Sequence, residues 1–425
     1  MAHMPDPGAD RFGNAIDPIV NYARGSILRG TDEEVARMLR ARQLVAERVR
    51  KTGADSVYDL SGMNRGGGIS AEDTRHLTSH VPFFERFEGR TEPLALRHMG
   101  ADADQCDALI LNRVSAANFI ALTTLTQRGD KVYALAAPGG VTHPSCVRPL
   151  ALVGVEFKEF HSSEDLERQW QAGGAPRLLL ITPITASKRH LDYAEFTRAL
   201  ALPRASNTLV FVDDAHMASR VSFFEEPRTF AVGAVDIAVC SADKHVAGPR
   251  AGVLVGRKDL VREIGSRAYE FGLEAQAGQY VGVANALRNF DTKPVKEAGE
   301  LAKELLNVLR GQYGSRAYLG GPGVSISGDD VLEIAAEQRG GAAKPALVAV
   351  EAAGLIAMEM LERDGVLTIG AVSMPGSAPV VRLMMYPDGM RLGVERIAAS
   401  LENGISRLAQ VVNEPEAARQ QLLGD

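Results

Sequence analysis

The sequence predicts an α/β fold built on a large, mainly parallel sheet, and three observations support this fold class. From about residue 105, short β-branched or leucine-rich runs alternate with amphipathic stretches, the pattern of repeated strand–helix–strand units. The runs are of strand length. A chain of 425 residues, 45% of them hydrophobic, can bury one large core and a second, smaller one. The seven predicted strands are Ala108–Asn112, Lys131–Ala136, Val155–Phe160, Arg177–Thr182, Thr208–Val212, Ile237–Cys240 and Gly252–Val255.

Changes in composition divide the chain into three parts. Residues 1–60 form an N-terminal arm with a helix over 32–51, residues 61–290 form the large α/β domain, and residues 291–425 form a small C-terminal α+β domain that opens with a helix over 293–313. The glycine-rich stretch around residues 62–68 is interpreted as turns. Packing of the N-terminal arm on a partner subunit is the alternative.

Composition excludes several classes of function. A net charge of −6 and a pI near 5.9 give no broad positive field for nucleic acid. The longest apolar runs are too short to cross a bilayer, so we expect no membrane association. The three cysteines, Cys106, Cys146 and Cys240, are far apart; they predict reduced thiols in the cytoplasm and offer no metal-ligand spacing.

The strongest chemical signal is a lysine in a small polar turn between two predicted strands, with an aspartate at the end of an earlier strand. Lys244 lies in the turn after the predicted strand Ile237–Cys240, and Asp213 lies at the end of the earlier apolar run Thr208–Val212. Pyridoxal phosphate (PLP) requires this combination, because an amine forms a Schiff base with its aldehyde and an anion keeps its ring nitrogen protonated. Lys244 then serves as general acid or base at the substrate Cα. The bland alternatives are a solvated loop lysine and an ordinary strand-end aspartate.

Two histidines follow predicted strands near this pair. We expect His216, three residues after Asp213, to donate a hydrogen bond to the phenolic oxygen of the cofactor, and His143 to stack on the face of its ring. A structural hydrogen-bond donor is the alternative interpretation of each.

An anion site is predicted where the first strand of the large domain leads into a helix. Val114 and Ser115 begin that helix and offer backbone N–H groups and a hydroxyl to the cofactor phosphate, and Ser241 adds a second hydroxyl. A helix cap without a ligand is the alternative for Ser115. Arg382 interrupts an apolar run in the C-terminal domain, and a substrate carboxylate or an internal ion pair would compensate its burial.

These segments resemble the aspartate aminotransferase-fold (fold type I) PLP enzymes, in their serine hydroxymethyltransferase-like and selenocysteine-synthase-like branches. The second branch comprises proteins described as L-seryl-tRNA(Sec) selenium transferases. The resemblance implies Lys244 as the Schiff-base lysine, Asp213 as the ring-nitrogen partner and a homodimer or larger homo-oligomer. It is carried by 114–119, 213–216, 241–244, 248–252, 271–276 and 374–376.

The chain departs from both branches. It lacks a Ser-Glu-Asn motif before residue 100, which argues against folate chemistry, and only some fifty residues precede Asp59 where selenocysteine synthases carry a tRNA-binding domain. We therefore expect a small-molecule amino-acid substrate.

Similar proteins of nucleoside-antibiotic pathways, such as the capuramycin pathway, include a PLP-dependent monooxygenase-decarboxylase. It converts a β-hydroxy-α-amino acid into a carboxamide with O₂. The Ala-, Gly- and Arg-rich composition fits a high-GC genome, so we predict this reaction. The alternatives are an aldolase or hydroxymethyltransferase, a β-elimination or replacement enzyme, and a PLP-binding protein without catalysis.

Overall fold

The computed structural model describes residues 8–341 and 344–424, without the side chains of residues 204 and 205. The described chain falls into two units. The first unit is Asn64–Lys293, and the second joins residues 8–63 to residues 294–424. No helix among these residues is both long and apolar enough to cross a membrane.

The strands are short, as the spacing of apolar runs predicts. In chain order they are β1 Ile16–Asp17, β2 Tyr22–Ala23, β3 Tyr58–Asp59, β4 Cys106–Leu111, β5 Lys131–Ala136, β6 Glu156–Phe160, β7 Leu178–Thr182, β8 Leu209–Asp213, β9 Ile237–Ser241, β10 Gly252–Arg257, β11 Tyr318–Leu319, β12 Gly323–Ser327, β13 Val366–Leu367 and β14 Val380–Met384.

Helices alternate with the strands through most of the first unit and dominate the second. They are α1 Thr31–Thr52, α2 Ala71–Thr74, α3 His80–Phe87, α4 Glu92–Met99, α5 Val114–Leu125, α6 Pro144–Val153, α7 Ser163–Gly173, α8 Tyr193–Ala201, α9 Met217–Phe223, α10 Thr229–Val232, α11 Lys258–Glu270, α12 Ala277–Arg288, α13 Lys293–Tyr313, α14 Gly328–Gln338, α15 Ala349–Asp364, α16 Ile369–Val372, α17 Gly389–Leu392, α18 Val394–Val411 and α19 Pro415–Leu423. Short 3₁₀ turns lie at Ala54–Ser56, Leu202–Ala205 and Gly314–Arg316.

The first unit is built on the predicted seven-stranded sheet, whose strand order is β4-β10-β9-β8-β7-β5-β6. Strands β5 to β9 are parallel to their neighbours. Only β10 runs antiparallel, to β9 on one side and β4 on the other. The prediction of a large, mainly parallel sheet is therefore confirmed.

Both faces of this sheet are buried, which explains why its strands appear as continuous apolar runs. Successive residues point to opposite faces. Thus Leu179 and Ile181 of β7 enter one core cluster, and Leu178 and Leu180 enter the other. The edge strand β6 departs from this pattern, because its Glu156 and Lys158 are exposed.

The second unit carries a small antiparallel sheet of order β11-β12-β14, a short parallel pair of β3 and β13, and the antiparallel pair of β1 and β2. Its core lies between the small sheet and helices α13, α14, α15 and α18. Residues 1–60 were predicted to be separate from the C-terminal domain, whereas in the structure residues 8–63 group with residues 294–424. Leu60 and Ile27, buried in the core of the second unit, account for this grouping.

Candidate active site

The candidate site lies where four parallel strands of the first unit end. The carboxyl ends of β5, β7, β8 and β9 meet at one edge of the sheet, the position at which open α/β folds bind ligands. Asp213 is the last residue of β8, and Lys244 follows the end of β9 by three residues. The structure therefore places both predicted residues at this edge.

The turn that carries Lys244 is held by a set of short hydrogen bonds. The hydroxyl of Ser241 donates to Oδ1 of Asp243 at 2.6 Å, and the backbone oxygen of Asp243 accepts from the backbone N–H of Asn64 at 2.9 Å. Ser241, predicted to offer its hydroxyl to a phosphate, thus directs that proton to Asp243. Lys244 itself is half-buried, so a ligand at the sheet edge can reach its amine.

Asp213 is a buried carboxyl with an unequal environment at its two oxygens. Oδ2 lies 3.4 Å from Nδ2 of Asn118 and 3.4 Å from the thiol sulfur of Cys146. Oδ1 has no hydrogen-bond partner among the described residues. Burial raises the pKa of Asp213 above its ordinary value, and the charge of Lys244 opposes that rise. A carboxylate in this position favours a cationic N–H donor.

A protonated pyridine nitrogen fits the requirement of Asp213. It would satisfy the open Oδ1 and supply the positive charge that a buried carboxylate lacks. The residues present are therefore compatible with PLP, with the ring nitrogen directed to Asp213 and the aldehyde to Lys244.

His216 contacts a lysine that the sequence analysis did not single out. Nζ of Lys188 lies 2.8 Å from Nδ1 of His216 and 3.4 Å from its Nε2. Lys188 is buried and has a left-handed backbone, with a φ of 65°. Burial of a charged amine costs free energy, and so does a left-handed backbone in a residue other than glycine. Such a cost at the edge of a candidate site is typical of a functional residue.

The residue after Lys244 adds another base to this region. His245 is buried, also has a left-handed backbone, and its pKa lies well below the ordinary value. Burial is the main cause, and the nearby positive charges of Lys188 and Lys244 add to it. His245 is therefore neutral at physiological pH.

His143 caps helix α6. Its Nδ1 accepts the backbone N–H of Ser145 at 3.0 Å and lies 2.7 Å from the Ser145 hydroxyl. These contacts fix the imidazole ring at the end of the loop that follows β5. The predicted stacking of this ring on the cofactor remains a proposal.

The predicted anion site is the start of α5, directly after β4. Val114 and Ser115 are its first two residues and are half-buried. Helix α5 begins against β10 at Gly252, where a Cβ would come within 2.7 Å of the backbone oxygen of Arg113. A residue without a side chain is required there. The start of a helix carries the positive end of the helix dipole, which suits a phosphate.

Asp214, next to Asp213, belongs to a buried ion-pair network. Nη2 of Arg220 lies 2.6 Å from Oδ2 of Asp214, Nη1 of Arg220 lies 3.1 Å from Oε2 of Glu226, and Thr229 also donates to Asp214. Arg220 is fully buried, so its charge is compensated inside the protein by these two carboxylates. The network anchors the start of α9 beneath His216.

Arg382 lies in the second unit, in the middle of β14, and is buried opposite Ser325 of β12. Its predicted contact with a substrate carboxylate remains a proposal. No cluster of three or more His, Cys, Asp or Glu side chains suited to a metal ion occurs in the described part of the chain.

Solved structures show the fold class. The chain overlays on a crystal structure described as the SepCysS-SepCysE N-terminal domain complex with a TM-score of 0.57 and 13% identity, covering 85% of this chain and 98% of that one. The fold is therefore that of the fold type I α/β proteins, as predicted.

Two similar curated proteins are named for their cofactor. A UPF0425 pyridoxal phosphate-dependent protein of Methanothermobacter thermautotrophicus is 27% identical over 92% of this chain and 98% of its own length. The UPF0425 protein MMP0002 of Methanococcus maripaludis is 28% identical over 88% and 98%. A serine hydroxymethyltransferase of Corynebacterium efficiens is 25% identical over 66% and 63%. No family model matches the chain. These names agree with the predicted cofactor.

Proposed function

We propose that the chain is a PLP-dependent enzyme that acts at the Cα of an amino acid. The observation that carries the proposal is the buried Asp213, whose Oδ1 has no partner among the described residues, at the same sheet edge as Lys244. The relatives named as PLP-dependent proteins over almost their whole length support the cofactor. When bound, PLP supplies an electron sink for the bond that breaks at Cα.

Lys244 is the proposed attachment residue and proton carrier. Its amine is half-buried, so it can hold the cofactor aldehyde and, once displaced by the substrate amine, move a proton at Cα. Asp213 holds the proton on the ring nitrogen, because the carboxylate is more stable beside a cation in this buried position.

The remaining residues bind and orient. His216 is the proposed donor to the phenolic oxygen, His143 packs on the ring, and Arg382 binds the substrate carboxylate. Val114, Ser115 and Ser241 are the proposed phosphate-binding residues. The hydroxyl of Ser241 donates its proton to Asp243, so Ser241 would bind the phosphate through its backbone N–H group alone.

The specific reaction we propose is the O₂-dependent monooxygenase-decarboxylase. In that reaction the amino acid and O₂ yield a carboxamide, CO₂ and water, with one atom of O₂ in the amide and the other in the water. A lyase or transferase is the second candidate, favoured by the similarity to a serine hydroxymethyltransferase. In both, the first bond to break is a bond at Cα. A homodimer or larger homo-oligomer with a small amino-acid substrate completes the proposal.

The cofactor proposal is tested by trapping. We expect purified protein incubated with PLP to absorb in the visible range, and borohydride to fix the cofactor on Lys244, located by peptide mass spectrometry. Lys244→Ala loses the adduct, and Lys258→Ala, an exposed lysine of the same unit, retains it. An adduct on another lysine, or none, contradicts the assignment.

The reaction is tested with a panel of amino acids in D₂O. Incorporation of deuterium at Cα by the wild type, but not by Lys244→Ala, supports Cα chemistry. Parallel measurements of O₂ uptake and CO₂ release separate the two candidates. Turnover that persists without O₂ excludes the monooxygenase and favours the lyase or transferase. Silence across the panel favours a binding protein without catalysis.

A further inference from the structure

A single buried amide connects the ring-nitrogen partner to His143. Asn118 lies on the second turn of α5 and is completely buried. Its Nδ2 lies 3.4 Å from Oδ2 of Asp213 and 3.0 Å from Oγ of Ser145. Oγ of Ser145 lies 2.7 Å from Nδ1 of His143. The contacts form a continuous path between two residues at different strand ends.

The chemistry of the groups fixes the direction of each hydrogen bond along this path. An ionised Asp213 can only accept hydrogen bonds. Asn118 must therefore turn its NH₂ group toward Asp213, because the amide oxygen of Asn118 would place two acceptors against each other. The other N–H of the same group then donates to the Ser145 hydroxyl. With that oxygen already accepting, the Ser145 hydroxyl proton is directed to Nδ1 of His143.

The backbone gives the same answer independently. The N–H of Ser145 donates to Nδ1 of His143 at 3.0 Å, and a backbone N–H cannot accept. Nδ1 of His143 therefore carries no proton, and the neutral ring carries its proton on Nε2. The position of His143 at the N-terminus of α6 also disfavours an imidazolium, because the positive end of the helix dipole faces it.

We infer that Asn118 is a positioning residue that holds Asp213 as a carboxylate acceptor and, through Ser145, holds His143 as a neutral ring protonated on Nε2. The consequence for cofactor binding rests on the proposed function. A neutral imidazole can lie against a cofactor ring whose nitrogen is protonated, whereas an imidazolium would place a second positive charge there. One amide thus orients two groups of the candidate site, the carboxylate of Asp213 and, through Ser145, the imidazole of His143.

The first test reads the tautomer directly in the full-length protein without added cofactor. Protein labelled with ¹⁵N-histidine gives separate ¹⁵N signals for protonated and unprotonated ring nitrogens, and His143→Gln identifies the signal of His143. We expect an unprotonated Nδ1 and a protonated Nε2. A proton on Nδ1, or a charged ring at neutral pH, overturns the inference.

The second test uses variants of the path. Asn118→Ala should weaken PLP binding about tenfold, the effect of losing one hydrogen bond to a charged group, and should shift the Nδ1 signal of His143. Ser145→Ala should shift that signal while leaving PLP affinity within about twofold, because its hydroxyl does not contact Asp213. If Asn118→Ala does not fold, Asn118→Leu removes the amide at similar side-chain volume and adds no charge beside Asp213, with the same expected results.

The control is Thr123→Ala on the same helix, whose hydroxyl donates only to backbone oxygens of that helix among the described contacts. It should change neither measurement. Equal PLP affinity and equal His143 signals in the Asn118 and Thr123 variants overturn the inference. If the wild type binds no PLP, the proposed function fails, and the tautomer measurement still decides the inference about Asn118.

Discussion

The amine of Lys188 lies 2.8 Å from Nδ1 of His216, and both side chains are buried. The two residues come from the loops after β7 and β8, neighbouring strands of the sheet. The lysine reaches the histidine because the turn at Thr185, whose backbone oxygen accepts from the N–H of Lys188, directs its side chain inward.

Lys188→Met should lower kcat about tenfold or more while the protein still folds and binds PLP, because His216 loses the group that orients its ring. Lys188→Arg keeps a donor at this position and should restore part of the activity. Steady-state kinetics and the absorption spectrum of the bound cofactor measure the effect. Wild-type kinetics and spectrum in Lys188→Met would show that the contact has no functional role.

Asp213→Asn should make the protein without cofactor more stable at about pH 7. The pKa of Asp213 is raised in the folded state, so the native protein holds this proton more tightly than the unfolded chain, and its ionisation lowers stability as pH rises. The gain should shrink as pH falls and vanish below about pH 3, where the carboxyl is protonated in both the folded and the unfolded state. Urea unfolding at the two pH values measures it.

The same variant should lose activity about a hundredfold or more, since a neutral amide cannot hold the proton on the ring nitrogen. Asp213→Glu keeps the charge and is the matched control for activity. A destabilised Asp213→Asn, or one with wild-type turnover, contradicts the assigned environment of this carboxyl.

His245 should make the protein less stable as pH falls through about 6.5. Its pKa is lowered in the folded state, so the unfolded chain takes up the proton first, and the stability present at higher pH is lost. His245→Asn removes this component and tolerates the left-handed backbone. Unfolding midpoints between about pH 5 and pH 8 measure it, with His80→Asn, an exposed histidine on α3, as the control.

Arg220→Met should destabilise the protein by about 3–5 kcal/mol, because it leaves the buried carboxylates of Asp214 and Glu226 without their cation. Arg257→Met, which removes an exposed ion pair with Asp236, should cost about 0–1 kcal/mol. Urea unfolding of both variants makes the comparison. Equal effects would show that burial of the Arg220 network does not strengthen it.

The central strands of the large sheet, β7, β8 and β9, were predictable because each is buried along its whole length and so appears as an apolar run. The predicted and observed bounds agree within one or two residues, as for Thr208–Val212 against β8. The antiparallel direction of β10 was not predictable, because an apolar run carries no information on its orientation. Tertiary packing decides it.

The site was predictable where chemistry is local in sequence. Asp213 ends β8 and Lys244 follows the end of β9 by three residues, so their placement follows from the pattern of apolar runs alone. Asn118, Cys146 and Lys188 act through contacts between different strand ends, and nothing in their flanking residues marks them. The burial of Arg220 was not predictable either, because its partners, Asp214 and Glu226, approach it only once the chain has folded around α9.

The position of β4 at one edge of the sheet has a consequence for biosynthesis. This strand leaves the ribosome before the other six, yet pairs only with β10, whose Gly252 faces Leu111. An emerging chain therefore carries an apolar strand with open hydrogen-bonding groups until nearly the whole first unit has been translated. We expect truncation before β10 to leave an aggregation-prone fragment, and slow refolding dominated by this long-range closure.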